Sequence, residues 1–157
     1  MALVSRRAVL IGLSTGVVAL AGAIVRGQAK APRTPIKVFK DPSCGCCQKW
    51  VEHMTDNNFA ASVTHGDMKP IKARYKVPGA LESCHTTEVG GYVIEGHVPA
   101  SDVRKLLAAK PKGVVGLTIP GMPASAPGMD MVPFQPYDVL TFDANGRTTV
   151  FARHVKG

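Results

Sequence analysis

The sequence predicts an α/β fold, a mixed sheet flanked by helices, and three observations carry that expectation. Ile36-Lys37-Val38-Phe39 has the β-branched and aromatic content of a strand. From Cys46 to about Asn57, Trp50, Val51 and Met54 recur at helical spacing, and Asn57-Asn58 ends the run. Between the two lies DPSCGCCQKW, residues 41–50, in which Cys44 and Cys47 have the C-x-x-C spacing. Carried down the chain, the elements read β-α-β-α-β-β-α with a cysteine motif between the first strand and the first helix, which is the thioredoxin-like order.

The later elements follow by the same reasoning. Phe59 to His65 resumes as a strand, and Met68 to Tyr75 is a short helix containing Pro70. After Val77-Pro78 come the Cys84-His85 segment and a strand at Gly91 to Glu95. A helix over Ser101 to Ala109 sets Val103, Leu106 and Leu107 on one face. Its Lys105 and the following Lys110 stand toward the C-terminal end, where the helix dipole favours positive charge. Gly113 to Pro136 is rich in Gly, Pro and Met and reads as a loop; Tyr137 to Phe142, a turn at Asp143 to Gly146 and Arg147 to Phe151 read as a final hairpin.

The chain has 157 residues, enough for one domain with its own core. Arg6-Arg7 precedes a stretch from Ala8 to Val25 without a charge, followed by small residues near Gly27-Gln28-Ala29. Residues 1–29 therefore read as an export signal of the twin-arginine type, 30–35 as a linker broken by prolines, and 36–157 as the working domain. The expected location is exported and periplasmic. A membrane anchor is the alternative if the segment stays uncleaved, since 18 uncharged residues approach a bilayer span. Residues 1–29 hold Arg6, Arg7 and Arg26 and no acid, so without them the formal charge falls from +8 to +5. The remaining bases are single residues and pairs with few aromatics among them, which argues against a nucleic-acid partner.

Four cysteines in a chain with a core of this size point to chemistry more than to a disulfide framework. A cysteine at a helix start gains thiolate character from the helix dipole and the unpaired N–H groups. Cys46 and Cys47 are adjacent, with Cα atoms about 3.8 Å apart across a trans peptide, which is too close for an unstrained disulfide. A third thiol is surplus for a disulfide enzyme and useful for a metal, as an extra ligand or a bridge. Cys84 and His85 supply further donors, expected to face the C-x-x-C loop. Structural zinc sites usually present two separated pairs of ligands, unlike this single adjacent Cys-His. IPGMPASAPGMDMVP adds Met122, Met129 and Met131, and thiolate with thioether favours Cu(I). His53, His65 and His154 read as ordinary side chains, and His97 stays undecided.

DPSCGCCQKWVEHM, SCHTTEVGGYVIEGHVPASDVRKLL and GLTIPGMPASAPGMDM together resemble the CopG-type family of exported copper-resistance proteins over about Ile36 to Met131. The resemblance implies a thioredoxin-like fold and a thiolate-bridged Cu(I) cluster of several ions on Cys44, Cys46, Cys47 and Cys84, with His85 adjoining. Met122 and Met129 are further candidates from the loop. Redox conversion of copper is the suggested activity of the family, and other exported copper-handling proteins are the expected partners beside copper itself. Charge favours more than one ion, because each Cu(I) cancels one of four crowded thiolate charges. The rival expectation is a thiol–disulfide oxidoreductase in which Cys44 attacks and Cys47 resolves.

Overall fold

A computed structural model describes residues 31–129 and 133–156. The expected export segment therefore lies outside the described residues, as does Met131. Among the described residues no helix is long and apolar enough to cross a membrane.

The elements run β1 (Thr34–Lys40), α1 (Gly45–Asp56), β2 (Phe59–His65), α2 (Met68–Arg74), β3 (His85–Val89), β4 (Tyr92–Glu95), α3 (Ala100–Ala109), β5 (Val114–Thr118), β6 (Tyr137–Asp143) and β7 (Thr148–His154), with a short 3₁₀ turn at Gly79–Leu81. Seven strands form one sheet in the order β2-β1-β3-β4-β5-β6-β7. The β1-α1-β2 and β4-α3-β5 crossovers make parallel pairs, and the β1/β3, β3/β4, β5/β6 and β6/β7 pairs are antiparallel. The mixed sheet flanked by helices is thus as expected, and β1 to α3 follow the expected order.

Element ends shift by one to three residues from the expectation, and two differences change an assignment. β1 begins at Thr34 and takes in Pro35, which the sequence places in a linker; Thr34 N–H donates to the Asn58 carbonyl and starts the pairing with β2. The loop expected from Gly113 to Pro136 contains β5, because Val114-Val115-Gly116-Leu117-Thr118 is an apolar β-branched run interrupted by one glycine. Gly116 is needed there for space, since a Cβ at that position would sit 1.8 Å from the Val93 carbonyl oxygen.

Alternation along the strands divides the interior between two sheet faces. Ile36, Val38, Val89, Ile94, Leu117 and Val139 share the larger core with Trp50, Val51 and Met54 of α1 and with Val103 and Leu106 of α3. Val93 and Phe142 pack on Val77 and Leu81 in a smaller one. Trp50 joins α1 to the segment before α3 by donating its ring N–H to the Val98 carbonyl at 2.9 Å, and Arg104 of α3 donates to the Asn57 carbonyl at 2.6 Å. α1 is thereby held against the sheet with its N-terminal turn at the edge where β3 begins.

Candidate metal centre

The chain turns sharply between β1 and α1. The Asp41 carboxylate accepts the Ser43 N–H at 2.7 Å and the Ser43 hydroxyl, and Cys44 N–H donates to the Asp41 carbonyl at 3.2 Å. Cys44 takes the N-cap position with an extended backbone, and its side chain makes no capping bond. Cys46 and Cys47 follow in the first helical turn, where backbone N–H groups have no intrahelical acceptor. Cys47 is fully buried, and Cys44, Cys46 and Cys84 are half-buried.

Cys44 and Cys47 are joined by a disulfide with Cα atoms 5.4 Å apart. Cys46 and Cys84 are free thiols. The Cys44 and Cys46 sulfurs lie 3.6 Å apart, and all four sulfurs lie within 4.8 Å of one another. Burial, the neighbouring Cys46 charge and a hydrogen bond with Cys46 push the Cys84 thiol above its ordinary value. A cation bound among these sulfurs would displace that proton, since the thiolate is the ligand.

Cys84 reaches this cluster from a different part of the chain. It precedes β3, and the preceding Ser83 N–H donates to Glu95 Oε1 at 2.6 Å. Glu95 is itself buried, accepts the Thr86 hydroxyl at 2.7 Å and pairs with the buried Lys72 ammonium. Burial raises the Glu95 carboxyl pKa, and Lys72 and the hydrogen bonds from Ser83 and Thr86 oppose that rise. We place the carboxyl in its ionised form, because the adjacent Lys72 ammonium and two further donors, the Ser83 N–H and the Thr86 hydroxyl, stabilise the anion. This ion pair anchors the loop that carries Cys84.

His85, the first residue of β3, points to the Trp50 face, with its ring 4.4 Å from the Trp50 ring. It is fully buried, and among the described residues neither ring nitrogen has a hydrogen-bond partner. Desolvation, with lesser contributions from His97, Lys72 and Lys40, holds its pKa well below the ordinary histidine value, so the ring is neutral. His97 lies 5.1 Å away, edge to face. Its Nδ1 is 2.7 Å from the Pro127 carbonyl; a carbonyl only accepts, so Nδ1 is the donor. Cys47 Sγ and one ring nitrogen each of His85 and His97 form a second convergent group, again within 4.8 Å and entirely buried.

His97 is the residue the sequence left undecided, and the hairpin turn brings it in. Gly90 and Gly91, both at positive φ, make a two-residue turn between β3 and β4. Thr86 therefore pairs with Glu95, and Gly96 N–H closes on the His85 carbonyl at 2.9 Å. Gly96 has φ +74°, and a Cβ there would lie 2.5 Å from Ser83 Oγ. The chain then turns toward His97.

The other candidates are placed differently. Met129 packs half-buried against the main core, beside Gly128, where a Cβ would meet the Cys46 carbonyl at 3.0 Å. Met122 is 45% exposed and has positive φ in the same loop. His53 Nε2 accepts the Ala100 N–H at 3.1 Å, and His154 Nε2 lies 2.6 Å from the buried Asp102 carboxylate, so both serve the helix α3 junctions. His65 ends β2 on the exposed side.

Soft sulfur donors in this number suit copper, and buried neutral imidazoles suit it as well. A family profile described as a protein of unknown function, DUF411, matches residues 81–129. Two solved structures are similar, titled copper resistance protein copG, form 1 and form 2. Each is 37% identical with a TM-score of 0.72 over 78% of this chain, covering 98% of the first and 99% of the second. No curated protein sequence matches the chain.

Proposed function

This chain belongs to the CopG family of copper-resistance proteins, and from that premise we propose that it sequesters copper as Cu(I) on the thiolates of Cys44, Cys46, Cys47 and Cys84 and exchanges electrons with it. The convergence of four sulfurs from two distant segments within 4.8 Å carries the reading. Sulfur of this kind selects Cu(I), and four sulfurs exceed the two or three that one such ion needs. Bridging by the surplus sulfurs holds several ions, and each cancels one thiolate charge.

The Cys44–Cys47 bond gives this site an electron store. Opening it takes two electrons. Two Cu(I) ions that each give one become Cu(II), and the S–S bond becomes two thiolates; the reverse reaction reduces two Cu(II) at the expense of the dithiolate. On the reading of residues 1–29 as an export signal, this chemistry takes place outside the cytoplasmic membrane, with other exported copper-handling proteins as the partners that exchange the metal.

Anaerobic titration of the reduced protein against bicinchoninate tests the proposal. Tight uptake is expected in the wild type and lost in Cys44→Ser and Cys84→Ser; uptake unchanged in both variants sinks it. The same disulfide favours a second reading, a thiol–disulfide oxidoreductase in which Cys44 attacks and Cys47 resolves. Reduction of insulin by copper-free protein, at a rate untouched by Cys46→Ser, would select that reading.

A further inference from the structure

We infer that Cys47, His85 and His97 form an interior copper position behind the sulfur cluster, with one sulfur and two nitrogen donors, which opens only when the Cys44–Cys47 disulfide is reduced. The inference rests on the copper-binding reading above and goes beyond it in assigning a separate ion, a separate donor set and a redox condition.

Three observations carry it. The three donor atoms are mutually within 4.8 Å and come from α1, the start of β3 and the turn after β4. Bonds of about 2.0 Å to nitrogen and about 2.3 Å to sulfur, typical of a first-row ion, span about 4.3 Å end to end. Closing the group on one ion therefore takes only small ring and thiol rotations. His85 is the second observation: among the described residues neither of its buried ring nitrogens is hydrogen-bonded, and that leaves a desolvation cost for which a bound ion is one explanation. A metal ion in that space satisfies one nitrogen directly. Third, the His97 ring is oriented by its Nδ1–H donation to the Pro127 carbonyl, as a backbone carbonyl orients a metal-ligating histidine.

The donor set also differs chemically from the cluster in front of it. Thiolates alone favour Cu(I), whereas two imidazoles and one thiolate accommodate both Cu(I) and Cu(II). The interior position is where a copper ion changes oxidation state without leaving the protein. Cys47 belongs to both groups, so an ion passes from the cluster to the interior by exchanging ligands around one sulfur.

The same sulfur supplies the control. While bonded to Cys44 it is no thiolate, and the interior group is reduced to two imidazoles. A dithiol reductant breaks the S–S bond by delivering two electrons and two protons and itself becomes a disulfide. Cys47 then gives up its proton as copper binds.

The triple variant Cys44→Ser, Cys46→Ser, Cys84→Ser isolates the interior group, because it removes the cluster and the disulfide together and keeps Cys47. Its fold is checked by circular dichroism; if it does not fold, Cys46→Ser, Cys84→Ser with a dithiol present takes its place. Anaerobic Cu(II) titration should give one bound ion and an intense sulfur-to-copper charge-transfer band. Ascorbate should bleach that band with the copper retained. Adding His97→Gln should weaken binding by at least about 10-fold and remove the band. In the otherwise intact protein the band should appear only after reduction. Copper uptake by the wild type with no band and no bound ion in the isolated variant overturns the interior position while leaving the cluster standing. Failure of the wild type itself to bind copper overturns both, and a band unchanged by His97→Gln overturns the assignment of His97.

Discussion

Three of the four sulfurs at the front of the site, Cys44, Cys46 and Cys47, come from one helical turn, and most of them are half-exposed. The two imidazoles behind them, His85 and His97, are buried and stand 12 positions apart in the chain, brought together by a hairpin. The front is a matter of local spacing, and the back is a matter of strand register. Sulfur is also tolerant of partial exposure as a thiol or disulfide, whereas a buried imidazole such as His85, with no hydrogen bond among the described residues, carries a desolvation cost. A site built this way has a donor-rich entrance and an interior whose energetics favour an occupant.

The largest test of the contrast removes entrance donors. Cys84→Ser in reduced protein should lower Cu(I) affinity by more than the roughly 10–100-fold expected for losing only a hydrogen bond behind a ligand. Competition with bicinchoninate measures it, and an affinity within about 10-fold of wild type would remove Cys84 from the site.

Next is the anchor of the Cys84 loop. Glu95→Ala leaves the Lys72 ammonium buried without its partner and should cost about 3–5 kcal/mol in urea unfolding of the copper-free protein. A cost under about 1 kcal/mol would mean that the ion pair does not hold this loop.

A change at the back should behave in the opposite way. His85→Leu in the copper-free protein removes two buried nitrogens that are unsatisfied among the described residues and should be neutral or stabilising by up to about 2 kcal/mol, although it takes away a donor. Its pH profile sharpens the point. The folded-state pKa of His85 is well below the unfolded value of about 6.5. Above about pH 6.5 both states are neutral there and stability is complete; as pH falls below it the unfolded chain takes the proton first and stability declines. The variant should lose that part of the decline, and profiles that superimpose would show His85 to be solvated.

The smallest effect is expected at the loop. Met122 is 45% exposed, so Met122→Ala should change stability by less than about 0.5 kcal/mol and copper affinity by a few-fold. Unchanged affinity would leave Met122 with no part in binding.

The same division decides what was legible in the sequence. The front was readable because Cys44, Cys46 and Cys47 are neighbours and the strand-to-helix turn that carries them has local signals in Asp41, Pro42 and Ser43. The β-α-β-α-β-β-α order was readable for the same reason, from short periodic runs. β5 was hidden because Gly116, required by the Val93 backbone, made an apolar strand resemble the Gly/Pro-rich loop that follows it. His97 was hidden because its role depends on pairing register. The clue was present in Gly90-Gly91: a two-residue turn there pairs Val89 with Tyr92 and Thr86 with Glu95, which leaves His85 and His97 side by side. The Cys44–Cys47 bond was legible only as one of two readings, since C-x-x-C serves disulfide and metal alike.

X-ray absorption at the copper edge of anaerobically loaded, reduced protein tests the central claim most directly. The thiolate-bridged reading predicts Cu(I), more than one copper per chain, scattering dominated by sulfur and a short copper–copper distance. A single ion surrounded only by nitrogen or oxygen, with no sulfur shell, would contradict it.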